Sequence, residues 1–338
     1  MRNKLEVVEN MFKGLNNLRK LYTNVPFMCC VIPISVDENN CIDTQYKLWQ
    51  CLKDADLCKS KVDAISSCSA LVGSTVLRTF LWIIGICALI GNLVVIFYRL
   101  FLDRDSTTKN YSIFALNLAI SDVFMGIYLL IIGMSDAYYN GVYAWNDQKW
   151  RNSILCTTAG VLSSVSSEMS TFLILMVTVD RLIVIMFPMS RLSGWSISWK
   201  QALVVSMSLW TVAITFAVVP IIAVPSYFKG EFYSQSSVCL ALPLTGDQRS
   251  GTGYSFAVFV CLNGLIFLII FVNQLCMCKS LRKSGLGIAS SQSRQRERTV
   301  AITLFFVVMT DLCCWFPIGV MGVVSRYGVR IQMAFMPG

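Results

Sequence analysis

Six long apolar blocks determine what this chain can fold into. Each block has 20 to 26 residues and at most one charged side chain. An α-helix rises about 1.5 Å per residue, so a block of this length can cross the roughly 30 Å hydrocarbon core of a bilayer. Only 14% of the residues are charged, whereas soluble domains have about 25%. The sequence therefore predicts an all-α membrane protein with six readable transmembrane helices, at 79–98, 111–135, 154–179, 201–224, 254–278 and 300–324.

The distribution of basic residues predicts how these helices cross the membrane. The connecting segments 99–110, 180–200 and 279–299 contain twelve Lys and Arg together, whereas 136–153 and 225–253 contain four. Because basic residues are retained on the cytoplasmic side, the first three segments face the cytoplasm and the N-terminus is extracellular. We expect a multi-pass protein of the plasma membrane whose six spans leave the C-terminus outside as well. The basic residues gather at block ends, so they predict contacts with membrane lipids and not with nucleic acid.

The histidine and cysteine content argues against an enzyme. The chain has no histidine, and its fourteen cysteines include no Cys-x-x-Cys pair. Structural zinc sites usually use histidines or Cys-x-x-Cys pairs as ligands. Nucleophile–base pairs usually use a histidine as the base. We therefore expect no enzymatic activity.

The first 76 residues differ in composition from the rest. Leucines recur every third residue in 11–21, which is half of a leucine-rich-repeat consensus. One repeat cannot bury its own apolar face, so we interpret 1–30 as the last repeat of an array and its cap; a short amphipathic helix is the alternative. We interpret 31–76 as an extracellular cysteine-rich hinge. Six cysteines allow 15 disulfide pairings, among which the sequence does not choose: Cys29, Cys30, Cys41, Cys51, Cys58 and Cys68.

Polar residues inside the apolar blocks form an ordered set. Such groups are costly in hydrocarbon and are usually functional. The set resembles the most typical residue of six successive helices in the rhodopsin-like (class A) G-protein-coupled receptors, namely Asn92, Asp122, Cys156, Asp180-Arg181, Trp210 and Pro317. The resemblance covers about 79–324 and implies a seven-helix bundle of which six helices are readable.

Three longer stretches are similar to one subfamily of these receptors. Residues 117–122 and 167–170 resemble the second and third helices of leucine-rich-repeat receptors, and 310–317 is similar to the relaxin-receptor branch. The resemblance implies an extracellular peptide or protein hormone as ligand and a heterotrimeric G protein, usually the stimulatory one, as partner. It also implies that the sixth helix moves on activation.

The end of the chain departs from the family pattern. No seventh apolar block and no Asn-Pro-x-x-Tyr motif follow the sixth block. We therefore place the bundle, with six spans, at 77–325 and treat 326–338 as a tail without an assigned structure. These features predict a receptor fragment without its upstream repeats and seventh helix.

The resemblance also implies roles for single residues. Arg181 would pair with Glu297 to hold the third and sixth spans together at rest, and Asp180 can pair with Arg181 as well. A solvated arginine at the membrane face is the alternative. Trp315 and Pro317 would form a hinge in the sixth span, where proline removes a backbone hydrogen bond. Cys156 and Cys239 would form the disulfide across the outer loops.

Acids inside the spans complete the predicted site. Asn92, Asp122 and Ser170 resemble the family's sodium-binding cluster, and a bound Na⁺ is the only cofactor we expect. A structural hydrogen-bond network with a protonated acid is the alternative. Glu168 and Asp311 lie at mid-depth without a basic partner, so they are either protonated or paired with polar groups of a helix absent from this sequence.

Two other functions compete with a signalling receptor. The first is a truncated, non-signalling receptor fragment or isoform. The second is a cation transporter that uses Asp122, Glu168 and Asp311 as an ion path. A transporter predicts paired half-helices or an inverted repeat, and the sequence shows neither.

Overall fold

The computed structural model describes most of the membrane part of the chain and short pieces of the part before it. The described residues are 21–22, 30, 58–59, 65–102, 110–186, 198–223, 225–228, 232–241 and 251–283, with 302, 305–306, 309 and 320 as isolated positions. The predictions for the sixth span fall outside them, as do those for the following residues: Cys29, Cys41, Cys51, Glu297, Asp311, Trp315 and Pro317.

Long helices dominate the described residues. α1 (Thr75–Phe97) continues as a π-helical turn (Tyr98–Leu102) and is followed by α2 (Asn110–Tyr138), α3 (Tyr143–Arg151), α4 (Ile154–Met186) and α5 (Trp199–Ile222). α6 (Pro225–Phe228) and a 3₁₀ turn (Tyr233–Gln235) lie in the connection that follows. The last described helix consists of α7 (Thr252–Ser255), a π-helical segment (Phe256–Leu262) and α8 (Asn263–Lys283).

Five of these helices are long and apolar enough to cross a membrane. They are Thr75–Leu102, Ser112–Tyr138, Ile154–Ile183, Trp199–Ile222 and Thr252–Met277. The first five predicted spans are therefore confirmed. α4 is the central helix, because 72% of its most apolar stretch is buried in the protein against 6% for the first span. It packs against α2, α5 and α8.

The local sequence explains how the helices begin and how closely they pack. Ser198 caps α5, since its Oγ accepts from the backbone N of Gln201 (3.4 Å) and the Gln201 side chain accepts from the Ser198 N (2.8 Å). Gly126 on α2 faces the α1 backbone, where an added Cβ would lie 2.8 Å from the Leu89 N. Glycine thus permits the close approach of α1 and α2.

Extended structure also occurs outside the membrane helices. β1 (Leu21–Tyr22) and β2 (Cys58–Lys59) pair in parallel, with Leu21 opposite Cys58. The prediction of a helical membrane protein is thus confirmed for the bundle, and the residues before it add this two-stranded pair. The domain boundaries drawn within 1–76 stay predictions.

Candidate functional site

The predicted disulfide fastens the central helix to the outer loop. Cys156, in the first turn of α4, is bonded to Cys239, and the two Cα atoms are 5.5 Å apart. The Trp150 indole N donates to Ser237 O (2.7 Å), and Arg151 Nη1 donates to Gln235 O (2.9 Å). The loop 232–241 is therefore held at its backbone over the outer end of α4.

A tight contact fixes the loop against α4. Gly160 faces the loop so closely that a Cβ there would lie 2.3 Å from the Tyr233 ring and 2.6 Å from Cys239 O. The Tyr233 hydroxyl donates to Ala217 O (2.7 Å), which links the loop to α5. Burial raises the pKa of the Tyr233 hydroxyl well above its ordinary value, so it remains a donor.

The residues before α1 enter the outer end of the bundle. We call 65–73 the outer segment. A disulfide joins its Cys68 to Cys30, a bond that the sequence did not select among the possible pairings of the six cysteines. Its backbone accepts hydrogen bonds from two residues beyond α2, since Gly141 N donates to Ser69 O (2.6 Å) and Ala144 N donates to Cys68 O (3.1 Å). Leu71 is fully buried in a core shared with α2, α4 and the outer loop.

The ion pair between Asp136 and Arg78 is hydrogen-bonded to the backbone of the outer segment at Val72. Asp136, at the outer end of α2, accepts from Val72 N with Oδ1 (2.8 Å) and pairs through Oδ2 with Arg78 Nε (2.6 Å). Arg78 Nη2 in turn donates to Val72 O (3.1 Å). Both backbone groups of Val72 are thus satisfied by the pair, which we call the Val72 clamp. The sequence analysis did not predict this clamp. The feature that could have indicated it is the acid Asp136 directly after the apolar block 111–135.

Polar contacts inside the bundle join α2 to α4 and α5. Ser121 Oγ donates to Ser166 O (2.9 Å), and Ser166 Oγ donates to Ser121 O (2.8 Å). The Trp210 indole N of α5 donates to Asn117 Oδ1 of α2 (2.9 Å). Trp210, chosen for its resemblance to the family pattern, therefore has a specific partner.

The predicted sodium cluster is assembled in part. Ser170 Oγ donates to Asp122 Oδ1 (3.4 Å) and lies 3.0 Å from Ser121 Oγ. Asn92 instead donates to Ala88 O of its own helix (2.9 Å), and no hydrogen bond among the described residues joins it to Asp122. Asp122, Ser121 and Ser170 thus bring a carboxylate and two hydroxyl oxygens together, which are ligand types that hard cations prefer.

Glu168 lies on the face of α4 that meets the last described helix. Its side chain is fully buried, and Asn263 Nδ2 donates to its Oε1 (2.9 Å). This partner belongs to α8, which is part of the fifth predicted span, and the sequence analysis did not single it out. Protonation of Glu168, or its pairing with an absent helix, stays a prediction.

The inner end of α4 carries the predicted switch residues. Arg181 donates to Asp180 Oδ2 through Nη2 (2.7 Å) and Nε (3.2 Å). Their pairing was predicted from the sequence, whereas the contact of Arg181 with Glu297 concerns a residue outside the described part. Cys156 and Arg181 lie towards opposite ends of α4, which is the most buried of the five described spans.

The structure thus combines a membrane bundle, a disulfide-capped central helix and an acid–arginine pair at the opposite end of that helix. Residues 91–334 match the family described as 7 transmembrane receptor (rhodopsin family). This match covers more than half of the chain, so the protein belongs to the rhodopsin family of seven-transmembrane receptors.

Individual relatives place the chain near the relaxin receptors. It is 38% identical over 322 residues to the G-protein coupled receptor GRL101 of Lymnaea stagnalis, which covers 95% of this chain and 26% of that protein. It is 34% identical over 277 residues to relaxin receptor 2 of Homo sapiens (81% and 36%) and 30% identical over 278 residues to relaxin receptor 1 of Mus musculus (81% and 36%). The chain thus spans between about a quarter and somewhat over a third of the length of these relatives.

Proposed function

We propose that this chain forms the membrane part of a hormone receptor that transmits extracellular binding of a peptide or protein to a heterotrimeric G protein. Relatives that carry the name relaxin receptor support the ligand class, and the relative named G-protein coupled receptor GRL101 supports the partner. Their similarity extends over 81% of this chain.

The attachment of the outer segment carries the proposal. Residues 65–73 connect the extracellular part of the chain to α1, and they are fixed to the bundle by the Val72 clamp and by backbone hydrogen bonds. A displacement of the extracellular part would therefore exert a force directly on the outer ends of α1 and α2. α2 is hydrogen-bonded to α4 through Ser121 and Ser166, so this force is transmitted to the central helix.

The inner end of the bundle would convert this displacement into G-protein binding. In our proposal Arg181 pairs with Glu297 at rest, and the pair breaks when the sixth helix swings outward about Trp315 and Pro317. An exposed ion pair contributes under about 1 kcal/mol, which suits a switch between states of similar free energy. Asp122 and Ser170 would bind Na⁺ in the middle of the bundle.

Replacing Glu297 tests the switch. Glu297→Ala in the full receptor should raise ligand-independent cyclic AMP production, because the resting state loses a contact that the active state does not make. Surface amounts are matched by antibody binding. Glu231→Ala, which removes the same side chain from a predicted outer loop, is the matched control and should leave basal signalling unchanged. Unchanged basal signalling in Glu297→Ala would contradict the resting-state pair.

The competing functions make different predictions. Membership of a receptor family does not favour a cation transporter. Ion flux into liposomes that contain the purified chain would be evidence for the transporter. A non-signalling form predicts that the chain reaches the cell surface without coupling to any G protein. Expression of the 338-residue chain with a panel of G-protein activation sensors separates this from the signalling form.

A further inference from the structure

A tight turn directly after α2 contains an exposed Asn-Gly pair. Asn140 and Gly141 are the two central residues of this turn, which is closed by a hydrogen bond from Val142 N to Tyr139 O (3.1 Å). Gly141 has a φ of 84°, a left-handed value that the third residue of a type II turn requires and that glycine adopts without a steric penalty. The backbone of the turn therefore requires the glycine but does not require the asparagine.

Two features of this pair favour spontaneous deamidation. The Asn140 side chain is exposed to water and makes no hydrogen bond to the residues that the structure describes. Apart from its chain neighbours, no atom lies within 4 Å of the position that a Cβ of Gly141 would take, so the backbone beside Asn140 is unhindered. The side-chain amide carbon of an asparagine lies close along the chain to the backbone nitrogen of the next residue, which can attack it.

The attacking nitrogen is held by the outer segment. Gly141 N donates to Ser69 O at 2.6 Å. This N–H must leave Ser69 O before the nitrogen can lose its proton and bond to the Asn140 side chain. The outer segment is kept in place by the fully buried Leu71 and by the Val72 clamp. The turn is thus reactive in composition and protected by a contact.

The sequence contains the same dipeptide once more, inside a membrane span. Asn263 and Gly264 lie in the last described helix, where Asn263 is buried and its Nδ2 donates to Glu168 Oε1 (2.9 Å). A buried, hydrogen-bonded side chain in a continuous helix is neither hydrated nor free to turn towards the next backbone nitrogen. Asn263-Gly264 is therefore an unreactive reference within the same chain.

We propose that Asn140 is a site of spontaneous deamidation and that the outer segment controls its rate. Gly141 N loses its proton to water and bonds to Asn140 Cγ, and the side-chain nitrogen leaves as ammonia. The product is a cyclic succinimide. Water then adds to one of the two succinimide carbonyls and opens the ring, which gives aspartate or isoaspartate at this position. The reaction consumes one water and releases one ammonia.

Deamidation would weaken the attachment of the outer segment. Both products add a negative charge to the turn, and isoaspartate adds one carbon to the main chain between residues 140 and 141. The longer main chain displaces Gly141 N from Ser69 O, so a backbone hydrogen bond that fixes the outer segment is lost. The reaction is thus a slow, irreversible release of the outer segment, and its chemistry does not depend on the function proposed above.

Mass spectrometry of the full chain tests the site. The purified chain is incubated in lipid nanodiscs at neutral pH in ¹⁸O-water, so that succinimide hydrolysis during the incubation is labelled. A synthetic peptide of residues 135–146 gives the rate of the unprotected turn. We expect labelled aspartate and isoaspartate at Asn140, formed more slowly than in the peptide, and no labelled product at Asn263. Absence of product at Asn140, or equal rates in chain and peptide, would overturn the proposal.

Variants of the outer segment test the control of the rate. Leu71→Ala removes a buried anchor and Asp136→Asn weakens the Val72 clamp, so each should raise the rate at Asn140 several-fold, because Gly141 N is released more often. Trp210→Phe breaks the hydrogen bond to Asn117 in the inner half of α2, which makes it the control for general destabilisation, and should leave the rate unchanged. Unchanged rates in both outer-segment variants, or an equal rise in Trp210→Phe, would show that the outer segment does not protect the site.

Discussion

Asp122 and the hydroxyls of Ser121 and Ser170 provide three oxygen atoms at one point between α2 and α4. The Ser121 and Ser170 oxygens are 3.0 Å apart, and Ser170 lies 3.4 Å from the Asp122 carboxylate. The same residues could form either a sodium site or a structural hydrogen-bond network. The two interpretations differ in whether the stability of the protein depends on the identity of the cation.

Sodium-dependent stability distinguishes the two. A ligand that binds only the folded state stabilises it in proportion to the logarithm of its concentration. We therefore expect the purified receptor to unfold at a higher temperature in NaCl than in KCl at the same ionic strength, and Asp122→Asn to abolish the difference. Asn92→Ala is the control, since Asn92 bonds to Ala88 of its own helix, and it should retain the difference. Equal unfolding temperatures in both salts for wild type would favour the structural network.

At the scale of elements, the packing of α4 against the loop 232–241 requires a glycine at position 160. Gly160 lies on the face of α4 that meets Tyr233 and Cys239. The nearest atoms include a backbone carbonyl next to the disulfide, and these atoms cannot move aside as the end of a flexible side chain would. Close packing here is therefore set by backbone geometry rather than by side-chain adjustment.

Gly160→Ala tests this contact. Overpacking of a well-packed core typically costs about 1–3 kcal/mol, and we expect a loss of that size measured by thermal unfolding in detergent. Gly264→Ala is the matched control, because no atom lies within 4 Å of the Cβ it would add apart from its chain neighbours and the nearby backbone of its own helix. It should be neutral or slightly stabilising, since alanine is the better helix former. If both variants unfold alike, the loop does not pack on α4 as described.

Some of these contacts could be predicted from the sequence and others could not. Helix positions follow from local apolar composition, so the spans around Asp122 and Glu168 are predictable. The pairing of Cys156 with Cys239 came from resemblance, because no local rule joins residues 83 positions apart. The Val72 clamp and the Glu168–Asn263 contact depend on which faces of separate helices meet, and a period of 3.6 residues does not determine that.

At the scale of the whole molecule, the Val72 clamp connects the extracellular part of the chain to the bundle. Asp136 is buried, whereas Arg78 is about one-third exposed, so the carboxylate depends on its two partners more than the guanidinium does. The clamp acts on backbone groups of Val72, so the side chain at 72 does not determine it. A force on the outer segment therefore reaches α1 through Arg78 and α2 through Asp136.

Graded substitution of Asp136 separates the structural role of the clamp from its role in signalling. Asp136→Asn keeps an oxygen that can accept from Val72 N but loses the charge that holds Arg78, whereas Asp136→Ala loses both. Asp136→Ala should lower the unfolding temperature more than Asp136→Asn, because it also leaves Val72 N without its acceptor; the remaining Arg78 is about one-third exposed, so water offsets part of its lost partner. Arg78→Lys, which keeps a positive charge without the guanidinium fork, should show the smallest loss.

The signalling response to these variants decides whether the clamp transmits force. At matched surface amounts, Asp136→Asn should weaken hormone-stimulated cyclic AMP in the full receptor while leaving hormone binding to its extracellular part unchanged. The outer segment would then move without pulling on α1 and α2. Binding and signalling that fall together would assign the clamp to folding alone. A full response in Asp136→Asn would show that the hormone signal enters the bundle elsewhere, for example through the loop held by Cys239.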